Sequence, residues 1–140
     1  MPVRYLISSD YNCVFMEYIG TFRFDEGIEG FERLFKDPKY QQSMNICWDL
    51  RPSTIPVELV YPEIRTEGRI AASQIDEKLS HCLFAMIAKN GSDYAKVHQF
   101  IVALRFENSP VERKAFRDFG QALKWINVPE NYEINFPSLD

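Results

Sequence analysis

The side chains best suited to chemistry fall in three short polar segments: Asp49-Leu50-Arg51-Pro52-Ser53-Thr54, Lys89-Asn90-Gly91-Ser92-Asp93 and Phe116-Arg117-Asp118. Each follows a run of strand-forming residues, and in open α/β sheets ligands bind beyond the carboxyl ends of the strands. Asp49, Arg51, Ser53, Asn90, Ser92 and Arg117 are therefore the candidate ligand-binding set, with Asp118 beside them. Arg51 and two predicted helix N-termini could together hold an anion. A plainer reading competes with this one. Asp and Arg at a strand end often pair with each other, and Ser92 and Asp118 are explained as helix caps. If the cluster served an enzyme, Asp49, Arg51 and Ser92 would carry it and would have to border a concave pocket.

A nucleophile with its partners is not legible. The chain has no G-x-S-x-G elbow, no G-x-G-x-x-G and no G-x-x-x-x-G-K-[ST]. Gly27-Ile28-Glu29-Gly30 lies early in a predicted helix and lacks a lysine partner. His81 opens a strand and His98 sits mid-helix, so no metal-ligand spacing forms. The three cysteines, Cys13, Cys47 and Cys82, each lie inside an apolar run and read as small buried hydrophobes. No catalytic residue, metal or cofactor is implied.

The elements that position these residues follow from periodicity. Residues 3–9 and 13–20 are β-branched and aromatic runs around Asp10-Tyr11-Asn12, which predicts an antiparallel hairpin. Ile28, Phe31, Leu34 and Phe35 recur at helical spacing after Asp25, a candidate N-cap, and Pro38 closes that helix. Residues 44–50 form the next strand. A loop with Pro52 and Pro56 leads to the longest helix, whose stripe is Ile64, Gly68, Ala71, Ala72, Ile75 and Leu79. The small residues in that stripe predict close approach to a neighbouring helix. The loop segment Val57-Glu58-Leu59-Val60-Tyr61 is apolar in acidic company, so it either packs down or lines the mouth of an apolar pocket. Residues 81–88 are apolar almost throughout, as a central strand is. Ser92 or Asp93 is placed to cap a helix carrying Tyr94, Val97, Ile101 and Leu104. A short charged edge strand at 111–117 follows, then a helix capped by Asp118, with residues 129–140 laid over the surface as a tail. The order β-β-α-β-α-β-α-β-α predicts one α/β domain over 1–140, built on a mixed, mainly parallel sheet of about five strands.

Composition narrows the function classes. Apolar residues make up 46% and charged residues 26% of 140, so a packed core is expected. Sixteen basic against twenty acidic residues leave a net charge of −4, which excludes a phosphate-backbone binder needing a basic stripe. The N-terminal residues lack the pattern of a signal peptide, and the longest apolar run, Cys82 to Ala88, is far short of a bilayer span. A reduced cytoplasmic setting is expected.

Three features resemble the SpoIIAA-like group of small bacterial proteins, which share the STAS fold of anti-sigma-factor antagonists. One is the strand ending Trp48-Asp49-Leu50-Arg51. Another is the long helix followed by the apolar strand His81 to Ala88 and a glycine-containing helix start at Gly91. The last is the closing stretch Phe116-Arg117-Asp118-Phe119-Gly120-Gln121-Ala122-Leu123-Lys124-Trp125-Ile126. The resemblance implies a non-catalytic cytoplasmic domain that works as a protein-interaction module or binds a small or lipid-like ligand, with a homodimer as a further option. Signalling STAS members carry a phosphorylatable serine in a D-S-S-G-like context after the third strand. The corresponding loop here, Arg51 to Pro56, lacks that motif, although Ser53 and Thr54 occupy it.

Overall fold

The structure is a computed structural model that describes residues 2–105 and 107–137. Its elements run β1 (Val3–Ser8), β2 (Cys13–Tyr18), β3 (Gly20–Thr21), α1 (Phe24–Lys36), β4 (Asn45–Asp49), β5 (Ser53–Thr54), α2 (Tyr61–Leu79), β6 (Cys82–Ile87), α3 (Gly91–Ala103), β7 (Val111–Phe116) and α4 (Phe119–Trp125). The main sheet has the order β1-β2-β4-β6-β7, with β1 antiparallel to β2 and the remaining pairs parallel. The hairpin, the apolar central strand and the charged edge strand are therefore where the sequence pattern puts them. The two-residue β3–β5 ladder is an addition too short to leave a periodic signal.

Alternation along the strands divides the core in two. Val14, Met16, Ile46, Trp48, Phe84 and Met86 face α1, α2 and α3. Cys13, Phe15, Cys47, Ala85 and Ile87 face α4 and the stretch that follows it. On that second face Tyr132 stacks on Phe15 at 5.3 Å and Phe136 lies over Arg4 at 4.7 Å. Residues 129–137 thus pack as a strap; the expected tail's last three positions lie outside the described residues.

Two caps differ from expectation. Helix α1 starts at Phe24, so Arg23 takes the cap position and Asp25 sits in the first turn, bound to Arg23. Phe24 is drawn in by packing against Phe22 and Phe100, which starts the helix one residue ahead of Asp25. Helix α3 is capped by Asn90, whose Oδ1 accepts from Asp93 N at 2.8 Å, rather than by Ser92 or Asp93. Asn90 has extended backbone and is as good a cap as Ser or Asp, so the helix begins two residues sooner. Asp118 caps α4 as expected, accepting from Gly120 N and Gln121 N.

Candidate functional site

The predicted strand-end cluster splits into parts. Asp49, at the end of β4, is buried on the α4 side. Arg51 turns back and donates from Nε to Oδ1 and from Nη2 to Oδ2, both at 2.9 Å, while its own amide donates to Oδ1 at 3.0 Å. These bonds hold the Arg51 guanidinium even higher than its ordinary value. Its plane rests 4.6 Å above the Phe119 ring. On the neighbouring strand Glu17, in register with Asp49, is held by Arg4 at 2.8 Å. Two closed ion pairs therefore lie side by side. A cavity of about 210 Å³ adjoins them, roofed by Phe119, Tyr132 and Phe136.

The other predicted residues lie elsewhere. Ser53 is fully buried; its Oγ donates to the Leu50 carbonyl at 2.6 Å and its own carbonyl accepts from Lys89 Nζ at 2.7 Å. That hydroxyl is buried and engaged, whereas Thr54 beside it is exposed. Asn90 is spent on the α3 cap. Ser92 and Arg117 are exposed, and among the described residues no hydrogen bond joins either to Asp49 or Arg51. Arg117 lies over the start of α3, where its Nη1 is 3.8 Å from the position a Cβ on Gly91 would take. The structure thus brings Asp49 and Arg51 together, and they neutralise each other.

A second space lies on the opposite face of the sheet, between α1, α2, α3 and the strands. It is a chamber of about 50 Å³ walled by Phe31, Trp48, Phe84, Val97 and Phe100, with Arg113 at one side. Helix stripes build it. Gly27 lets α1 settle onto Trp48, because a Cβ there would stand 3.2 Å from the indole. Gly68 does the same for α2 against Phe100, as the small residues of the stripe predict. Phe22, Phe24 and Leu59 separate the chamber from an outer groove of about 390 Å³ that also carries Asp25, Glu58, Glu63 and Glu67. Lys96 Nζ donates to the Leu59 carbonyl at 2.5 Å and holds that loop down. Beside it Val57, Val60 and Tyr61 are exposed, Val57 by 82%. The segment 57–61 as a whole does not pack down: Leu59 alone turns inward and borders both spaces, while Val57, Glu58, Val60 and Tyr61 stay in solvent.

Sequence reasoning passed over Trp48 and Arg113. Trp48 precedes Asp49 and points to the other face of β4. Arg113 could have been noticed, because the alternation Val111, Arg113, Ala115 puts an arginine on an apolar face. Its charge is met by Asp76 on α2, buried with it.

The sheet order, the three helices on one face and the closing helix on the other define a single α/β domain of SpoIIAA-like fold. Among solved structures, an uncharacterized protein of the DUF3478 family with a SpoIIAA-like fold from Shewanella loihica PV-4 superposes with a TM-score of 0.55. The two share 13% identity, over 89% of this chain and 93% of that one. No known protein family matches the sequence, and no curated protein does. Among the described residues no helix is long and apolar enough to cross a membrane.

Proposed function

We propose that this chain is a non-catalytic binding module whose helix-side chamber receives a small apolar, lipid-like ligand. The observation that carries this reading is the chamber itself. Protein interiors pack to near-crystalline density and hold few voids larger than a water. Here a void bordered by aromatic rings sits at the centre of the larger core, parted from an outer groove by Phe22, Phe24 and Leu59. The closed chamber takes only the tip of such a ligand, being about a third of the roughly 150 Å³ of an apolar cavity that holds benzene. The remainder would lie along the groove once Leu59 lifts. The strand-end cluster supports a structural role instead, because both of its acids are already paired. A reduced cytoplasmic setting fits three buried, free cysteines.

Native mass spectrometry beside a denaturing run tests the reading. A non-covalent adduct, one per chain and lost on denaturation, is the expected result. A chain that carries no adduct and gives no saturable binding of the neutral dye Nile red refutes it. The exposed Val57, Val60 and Tyr61 favour a second reading, contact with another protein through this loop. A homodimer mass lost on Val57→Asp substitution would support that one.

A further inference from the structure

The chamber is lined mostly by apolar side chains, yet two of its lining residues, Trp48 and Arg113, each carry an N–H without a partner. Among the described residues, Trp48 Nε1 and Arg113 Nε are both buried and make no hydrogen bond. Arg113 spends its terminal nitrogens on Asp76, so its charge is neutralised and Nε is what it has left. The two donors lie on either side of Phe84, whose ring is 5.8 Å from the Trp48 ring and 5.0 Å from the Arg113 guanidinium carbon. Buried donors are almost always satisfied, and leaving one bare is costly. A chamber of this size has room for a water, but a water needs two to four polar partners. The two N–H groups could meet only its oxygen, and the lining side chains offer no acceptor for the protons it would bring.

We propose that the ligand is neutral and carries a carbonyl oxygen that accepts the Trp48 Nε1–H, an inference that rests on the chamber being a ligand site. Three observations restrict its chemistry. The unpartnered groups on the chamber wall are donors, so the ligand must bring an acceptor. A hydroxyl would bring its own proton, for which the lining side chains offer no oxygen acceptor; a ketone, aldehyde or ester brings none. In the outer groove, finally, Asp25 and Arg23 cancel and Glu58, Glu63 and Glu67 remain. Lys96 at the chamber is engaged by the Leu59 carbonyl, so the way in disfavours a carboxylate. A cation would be drawn to that groove but would meet N–H groups within. An uncharged carbonyl on an apolar chain fits all three.

The test uses the whole protein, labelled with nitrogen-15, and four probes of equal chain length: methyl heptyl ketone, nonane, nonanol and nonanoate. The protein has two tryptophans, Trp48 and Trp125, so the indole N–H spectrum holds two resonances, assigned by Trp48→Phe or, should that variant not fold, by Trp125→Phe. The ketone is expected to shift the Trp48 N–H downfield and to bind about tenfold more tightly than nonane, the worth of one hydrogen bond. Nonanol should fall between them and nonanoate should bind weakest. In Trp48→Phe the ketone should lose its advantage while nonane binding persists. Equal binding of ketone and nonane, or a Trp48 resonance unmoved by bound ketone, overturns the carbonyl proposal and leaves the chamber reading standing. Failure of all four probes to bind overturns both.

Discussion

Removing the Asp76 carboxylate tests how the chamber side of the core is held together. Asp76 accepts from Arg113 Nη1 at 2.9 Å, from Arg113 Nη2 and from Ser109 Oγ at 2.6 Å. The side chains are only 9% and 4% exposed, and the guanidinium also lies over the Phe84 and Phe100 rings. Asp76→Ala leaves a buried arginine without a counter-charge, which costs about 3–5 kcal/mol. At roughly 3 °C per kcal/mol for a domain of this length, the melting temperature falls by about 10–15 °C. Arg113→Met is expected to cost a similar amount, because it strands the carboxylate. The double variant Asp76→Leu/Arg113→Met fills the space with apolar volume and should return to within about 1–2 kcal/mol of the parent. Urea unfolding followed by tryptophan fluorescence gives all four corners of the cycle. The exposed pair Arg69–Glu107, 46% and 41% accessible, serves as the control, and its removal costs less than about 1 kcal/mol. Should Asp76→Ala cost no more than that control, the pair is solvated and the reasoning is wrong. A double variant as unstable as the sum of the singles refutes it too.

Other consequences are as direct. Gly68→Ala places a Cβ within 2.5 and 2.8 Å of Phe100 Cδ1 and Cε1, so the ring must move, and the slack beside it is the chamber. Overpacking of about 1–3 kcal/mol outweighs a helix gain of about 1 kcal/mol, so calorimetry should show a lower melting temperature and Nile red should bind more weakly. Unchanged dye binding would mean the ring moves elsewhere. Burial, then the hydrogen bond to the Asp37 carboxylate, push the Tyr5 phenol up to about 12, and burial also takes Tyr40 to about 12. The unfolded chain releases these protons near the ordinary value of 10, so between pH 10 and 12 it binds fewer protons than the native protein. Stability is then full below pH 10 and lost as pH rises toward 12. Denaturant titrations at stepped pH should show that fall, with tyrosinate absorbance lagging behind that of free tyrosine; all seven tyrosines ionising near 10 in folded protein would contradict it. Burial also raises Cys13 and Cys47 and brings Cys82 to about 11, where Arg113 opposes the rise and Asp76 adds to it. A disulfide thiol reagent at neutral pH should therefore label none of the three until the chain unfolds, and rapid labelling of any in the folded protein would count against the packing described.

The fold was legible because its signals are periodic and redundant. The apolar run 82–88, short and closed by Asn90-Gly91, reads as a strand covered on both faces. The small residues in the stripe from Ile64 to Leu79 read as a helix set close against a neighbour, as Gly68 is against Phe100 of α3. Cap positions were less so. Asp25 and Ser92 have the chemistry of caps, but Phe24 packs against Phe22 and Phe100, and Asn90 is an equally good cap two residues earlier. The order of such residues in the chain does not say which one the tertiary contacts select. The candidate site was legible only in part. Asp49 and Arg51 attract notice by charge, and the pairing open to them from their spacing is what the structure contains.

Charge in a sequence marks where chemistry could happen, whereas reactivity and recognition depend on what remains unspent after folding. Arg4, Glu17, Asp49 and Arg51 make a conspicuous row across three strands, but each ion has its counter-ion and the strap of residues 129–137 lies over them. One residue earlier on β4, Trp48 points the other way and carries a neutral N–H that no group among the described residues accepts. A single strand therefore presents a satisfied charge to one face and an unsatisfied dipole to the other. An incoming molecule would have to break the Asp49–Arg51 pair to gain anything on the first face. On the second it gains a hydrogen bond that the protein alone cannot make. That asymmetry, rather than the density of polar residues, places the binding hypothesis on the helix side of the sheet.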